Sequence, residues 1–263
     1  MSSARRSVSN RRYPELAGKH ALVTGAARGF GRAIAMRLAD EGVTVVVNYR
    51  RSMSDAAATV EEIEQRGGKA IALRGDVGKE KSLDKLFTQI ADELGHLDIL
   101  VANAAFGVPG SLVEANEHHW QVTMSASAWS LISMTQRALP LMKNGWGRVV
   151  SITSDGGQKV IPGYGVVGPA KGALESITRG LAYELARKGV LVNGVLAGLA
   201  DTKSARSIPG ADQVIQHASR HTPKGRIVNG EDIARVVAFL CSDDAEMICG
   251  QFITVDGGRN IVG

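Results

Sequence analysis

Short runs rich in β-branched residues alternate along this chain with segments of helical period, and no other feature restricts its fold so tightly. The runs are His20–Thr24, Val43–Tyr49, Ala70–Arg74, Asp98–Asn103, Arg148–Thr153, Val190–Val195 and Gln251–Val255. Several are apolar throughout, which suits strands covered on both faces. Between them, Leu83, Leu86, Phe87, Ile90 and Leu94 recur at the spacing of one helical face. Leu174, Ile177, Leu181 and Leu185 form a second stripe, and Ile233, Val236, Val237 and Leu240 a third. The alternation predicts one doubly wound α/β domain, a seven-stranded parallel sheet with helices on both faces. No repeat or long linker divides it, and 263 residues at 44% hydrophobic supply a large core. No apolar stretch approaches the roughly 18 residues of a membrane span.

The formal net charge of +5 invites an anionic partner such as nucleic acid. Four of those charges, however, come from Arg5, Arg6, Arg11 and Arg12, and the first twelve residues hold no acid. The body is almost neutral, which argues against a nucleic-acid surface. Residues 1–15 read as a solvated basic tail and 16–263 as the folded domain. No apolar core follows the arginines, so the tail does not read as a secretory signal. Cys241 and Cys249 stand without a CxxC pair or clustered histidines. They read as free thiols in a reducing, cytoplasmic setting, with no metal.

The first strand runs into Thr24-Gly25-Ala26-Ala27-Arg28-Gly29-Phe30-Gly31 and then into a helical pattern. This strand–turn–helix setting makes the glycines a dinucleotide site. Gly25 permits the tight turn, Gly29 lets backbone approach a pyrophosphate, and Gly31 allows helix to pack on strand. The helix's free N–H groups and dipole favour the anion. About twenty residues on, where an acid would bind a free ribose 2′-hydroxyl, the chain reads Asn48-Tyr49-Arg50-Arg51-Ser52. Arg50 and Arg51, with Arg28 in the turn, suit a 2′-phosphate, so NADPH is the expected cofactor.

In these motifs, residues 16–263 resemble the short-chain dehydrogenases/reductases, a family with the Rossmann fold. TGxxxGxG at 24–31 matches, as do Gly75-Asp76-Val77 and Gly250…Asp256-Gly257-Gly258. The resemblance implies that Asp76 and Val77 bracket the adenine. It also implies that Asn103 and Ala104, in Ala102-Asn103-Ala104-Ala105, support the central strand and line the cofactor. Ala197-Gly198 stands where the family has Pro-Gly beneath the nicotinamide, and Thr202 matches the threonine that follows. Assembly as a homotetramer is likewise implied.

The catalytic signature departs from the family's usual Tyr-x-x-x-Lys. Lys171 is in place, but the residue four before it is Val167, and the nearby phenol is Tyr164, giving Tyr-x6-Lys. The family's asparagine position holds Ser127, while Ser154 matches the active-site serine. One explanation is a degenerate reductase that lost its acid; the other is a tyrosine moved for a chemical reason. A ketone is protonated on the oxygen bonded to the carbon that receives hydride, whereas reduction of an enoyl thioester delivers hydride to the β-carbon and charge to the thioester oxygen. That oxygen lies roughly 2 Å farther from the nicotinamide. Tyr-x6-Lys together with TGxxxGxG resembles the type III enoyl-acyl-carrier-protein reductases.

The resemblance implies that Tyr164 stabilises the enolate oxygen. Lys171 would bind the nicotinamide ribose and favour the ionised tyrosine. Ser154 either binds substrate or merely ends a strand. Tyr164, between Gly163 and Gly165, would ride on a loop that settles on binding. Residues 199–224, broken by Pro209, Gly210 and Pro223, read as a substrate lid, with His217 and His221 on its surface. The expected substrate is an acyl thioester on acyl-carrier protein or coenzyme A. A carbonyl reductase and a non-catalytic NADPH-binding regulator are the alternatives.

Overall fold

The computed structural model describes residues 12–202, 206 and 210–262. All seven expected strands form: β1 (His20–Val23), β2 (Thr44–Tyr49), β3 (Lys69–Arg74), β4 (Ile99–Ala102), β5 (Gly147–Ser154), β6 (Val190–Ala197) and β7 (Phe252–Val255). They make one parallel sheet in the order β3-β2-β1-β4-β5-β6-β7. Val23 of β1 is in register with Val47 of β2 on one side and Val101 of β4 on the other. The winding reverses between β1 and β4. The crevice beyond their carboxyl ends is therefore where a doubly wound fold binds its ligand.

The helices are α1 (Gly29–Asp40), α2 (Met53–Gln65), α3 (Glu80–Leu94), α4 (Glu117–Met124), α5 (Ser130–Ala138), α6 (Val167–Leu185), α7 (Ala211–His221) and α8 (Gly230–Cys241). On one face of the sheet, Ile34, Leu38, Ile63, Val237 and Leu240 cover Val23, Val45, Val47 and Val101. On the other, Leu83, Leu86, Ile90, Leu131 and Leu174 cover Leu22, Val46, Leu100 and Val149. Successive residues of the central strands feed opposite cores, which is why several of the runs are apolar throughout. No helix among the described residues is long and apolar enough to cross a membrane.

Two boundaries differ from the sequence expectation. The packed body starts at Tyr13, three residues before 16: Tyr13 and Leu16 are buried, and the Tyr13 N–H donates to Glu41 Oε2 at 2.9 Å. The basic tail itself, residues 1–11, lies outside the described residues. On α6 the buried face runs through Ala170, Lys171, Leu174, Glu175, Thr178, Ala182 and Leu185, whereas Ile177 and Leu181 are only partly buried. Three polar residues thus lie on a face that periodicity assigns to apolar ones.

Candidate active site

The glycine turn is built to bring backbone together. Gly25 and Gly29 hold φ of +64° and +57°, where a side chain would be strained. A Cβ on Gly31 would overlap the Gly25 carbonyl and lie 2.6 Å from Asn103 Nδ2. That amide donates to the Thr24 carbonyl at 2.8 Å and so ties β1 to β4. Thr24, expected to touch the cofactor, is fully buried. Its hydroxyl donates to the Val101 carbonyl at 3.2 Å and accepts from the N–H groups of Asn103 and Ala104 at 3.1 and 3.0 Å. Asn48, which sequence reasoning passed over, donates to the carbonyls of Leu73 and Gly75, both at 3.3 Å, and its carbonyl accepts from the Ala26 N–H at 2.9 Å. No side chain caps the start of α1, where Phe30 follows Gly29, so its first N–H groups remain available to a pyrophosphate. The cradle fits a dinucleotide.

Around that cradle, Arg28 and Arg51 are exposed, and the Arg50 guanidinium lies 5.2 Å over the Phe106 ring. A further guanidinium arrives unannounced: Arg74, at the end of β3, donates through Nε to the Arg50 carbonyl at 3.2 Å. Asp76 turns its Oδ1 to the Gly78 N–H at 3.1 Å, and Val77 is buried beside it. Ala197 ends β6, and a Cβ on Gly198 would lie 2.7 Å from that of Asp256, so the C-terminal glycine loop needs glycine there. The Thr202 carbonyl accepts from the Arg206 N–H at 2.9 Å.

The structure brings Ser154 and Tyr164 together: Ser154 Oγ and the phenol oxygen are 3.0 Å apart. The loop carrying Tyr164 is already seated. Gly110 N–H donates to the Gly163 carbonyl at 2.8 Å, Tyr164 N–H to Ile161 at 3.0 Å, and Val167 N–H to Tyr164 at 3.0 Å. The tyrosine ring lies against Gly156, where any Cβ would overlap its Cδ1 and Cε1. Burial pushes the phenol pKa up, the Asp155 carboxylate adds to that, and the Ser154 hydrogen bond partly offsets it. Tyr164 is therefore held in its protonated form at neutral pH, and the balance is set by its own surroundings rather than by Lys171.

The usual positions are filled otherwise. Val167 packs on Gly107, whose Cβ would overlap it. Ser127 sits in a π-helical turn, Ser125–Trp129, between α4 and α5. Its hydroxyl donates to the Phe106 carbonyl at 2.8 Å and accepts from the Phe106 N–H at 3.3 Å, so it is spent on backbone. Lys171 is 8% exposed, and its ammonium donates to the Ile152 carbonyl at 2.9 Å. Burial lowers its pKa to about 8, against the pull of Glu175 one turn on. Among the described contacts Lys171 makes no hydrogen bond to Tyr164.

The chain as a whole is similar to known proteins. A family model described as enoyl-(acyl carrier protein) reductase matches residues 25–260. The 1-cyclohexenylcarbonyl-CoA reductase of Streptomyces collinus is 37% identical over 92% of this chain and 86% of its own. The NADH-dependent enoyl-acyl-carrier-protein reductase FabI of Aquifex aeolicus is 34% identical over 94% and 93%. Its crystal structure superposes with a TM-score of 0.85. The chain belongs to the short-chain dehydrogenase/reductase family. It is an oxidoreductase of that family and binds a nicotinamide cofactor. A ketoreductase is also similar: angucycline C-6 ketoreductase LanV, with bound NADP, superposes at 0.87 with 36% identity, covering 96% of this chain and 99% of its own.

Elsewhere the oxidoreductase carries less chemistry. His217 and His221 are stacked on the exposed side of α7, ring centroids 3.9 Å apart. Residues 203–205 and 207–209 of the expected lid lie outside the described residues. The buried Cys241 thiol is pushed up to about 12 by desolvation. At the opposite, amino ends of β1 and β4, ligand atoms of His20, His96 and Asp98 lie within 4.8 Å of one another. Asp98 is already committed there, accepting from the His20 N–H at 2.8 Å and pairing with Lys19 at 3.7 Å.

Proposed function

We propose that this reductase uses NADPH to reduce the C=C bond of an α,β-unsaturated acyl thioester. The observation that carries this reading is the pairing of Ser154 with Tyr164, which stands six intervening residues before Lys171 rather than the usual three, while Val167 fills the usual place against Gly107. With a nicotinamide bound, the chemistry supplied is hydride delivery to the β-carbon. The Tyr164 hydroxyl donates its hydrogen bond to the thioester oxygen, where enolate charge builds. Ser154 holds that phenol in line. The Lys171 ammonium, at the start of α6, supports the ribose side of the crevice. Ser127, spent on Phe106, offers no polar relay of the kind a carbonyl reductase uses.

A second reading rests on the same pair, because a serine–tyrosine hydrogen bond would equally polarise a ketone. Rates of NADPH oxidation with crotonyl-CoA and acetoacetyl-CoA separate the two. Turnover of crotonyl-CoA is expected. Turnover of acetoacetyl-CoA alone would move the assignment to a ketoreductase, and turnover of neither would point to a cofactor-binding regulator.

The preference for NADPH is supported by Arg28, Arg50 and Arg51, with no acid at the end of β2. Replacing both Arg50 and Arg51 by alanine removes two charge-assisted contacts worth about 1.5 kcal/mol each. The Kd for NADPH, read by nucleotide fluorescence, is expected to rise about 100-fold, with that for NADH changing by less than about threefold. An equal loss for both nucleotides would place the arginines on the pyrophosphate instead.

A further inference from the structure

We infer that Glu175 is a positioning residue of this site, its buried carboxylate serving as counter-charge to the Lys171 ammonium and as anchor of the turn that carries Ser154. The inference rests on the reading above of Lys171 and Ser154 as site residues. Lys171 and Glu175 stand four apart on α6, so they share one helical face, and that face is the buried one. Glu175 is 5% exposed. Its Oε1 accepts from the Thr153 hydroxyl at 2.9 Å and its Oε2 from the Gln158 amide at 3.1 Å. These donors lie on either side of Ser154-Asp155-Gly156-Gly157, so one carboxylate clamps both ends of the turn. Gly157 makes room for it: a Cβ there would overlap Oε1 and lie 3.1 Å from the carboxylate carbon.

An ammonium out of water with one carbonyl partner favours its neutral form, and a carboxylate one turn away opposes that. The other charged groups near the pair are already committed. Asp155, in the turn, pairs with Lys159 at 3.3 Å, and Tyr164 faces Ser154. Glu175 therefore supplies the local negative charge that keeps Lys171 protonated, and the neutral amine would be lost to the ribose as a charged donor. Neither an apolar stripe nor a motif on α6 marks this role.

The test uses the full chain without nucleotide, with lysines labelled at 13Cε and the Lys171 signal assigned by its loss in Lys171→Arg. The wild-type signal titrates near the value of about 8 that burial sets. Glu175→Gln keeps the shape and the hydrogen-bond acceptor but not the charge, and is expected to lower the midpoint by on the order of one pH unit. The alkaline limb of kcat/KM, on whichever thioester the wild type turns over, moves acidward with it. Glu175→Asp, which withdraws the charge by one methylene, lowers the midpoint by less. A wild-type midpoint in either folded variant overturns the inference. Because the titration needs no substrate, a failed crotonyl-CoA assay alongside a shifted midpoint would sink the enoyl reading and leave Glu175 in place.

Discussion

Tyr164→Phe is expected to lower kcat on the acyl thioester by about 10²–10³, which is ~3–4 kcal/mol of transition-state stabilisation, with NADPH affinity changed by less than about twofold. The argument starts from protonation. Burial and the Asp155 carboxylate hold the phenol above its ordinary pKa, so at neutral pH the group carries the proton it needs to donate. Ser154 Oγ, 3.0 Å away, fixes the direction of that donation. Phenylalanine retains the ring that packs on Gly156 and opens no cavity. The loss should therefore fall on kcat and leave the melting temperature nearly unchanged, because the missing contact matters only as charge develops on oxygen. Steady-state kinetics with crotonyl-CoA read this directly. A variant retaining a third or more of wild-type kcat would remove Tyr164 from the chemistry.

The fold was legible because its signal is hydrophobic and local. All seven strands fall within two residues of the expected runs, and central β4, buried at every position, is apolar throughout. The glycine turn was legible for a different reason: Gly31 permits a backbone crossing, with the Gly25 carbonyl, that sequence order alone implies. What escaped depends on partners far along the chain. Asn48 matters because β3 ends beside β2, and no pattern around residue 48 encodes Leu73 or Gly75. The partners of the Thr24 hydroxyl, on Val101, Asn103 and Ala104, are likewise far along the chain.

The helix after Tyr164 shows the limit most clearly. Periodicity weights apolar residues, so it chose Leu174, Ile177, Leu181 and Leu185 as the core face of α6. The buried face is rotated toward Lys171, Glu175 and Thr178 because their polar atoms meet Ile152, Thr153 and Ser151 of β5. A polar residue that finds a partner can be buried, and the partner lies on another element. The direction of the Tyr164 pKa shift was likewise not legible in its motif. Its sign is set by burial and by Asp155, whereas the lysine in its motif reaches a backbone carbonyl instead.

Gly156→Ala is expected to cost about 10² in kcat/KM, ~2.7 kcal/mol, while the nucleotide still binds. Nothing in a Gly-Gly pair after a strand says what the first glycine does, but the structure does: the Tyr164 ring occupies the space a Cβ would need. The ring cannot give way and keep its hydroxyl 3.0 Å from Ser154, because Gly110 and Ile161 hold its backbone. The added methyl therefore displaces the phenol from its donating position, and a displacement of about 1 Å is enough for a loss of this size. Because both changes remove the same interaction, they should not add. Introduced into Tyr164→Phe, Gly156→Ala is expected to cost less than about threefold more. Full additivity in this double-mutant cycle would show that Gly156 serves the site by another route, through Ser154 or the turn clamped by Glu175, and that the phenol keeps its place without it.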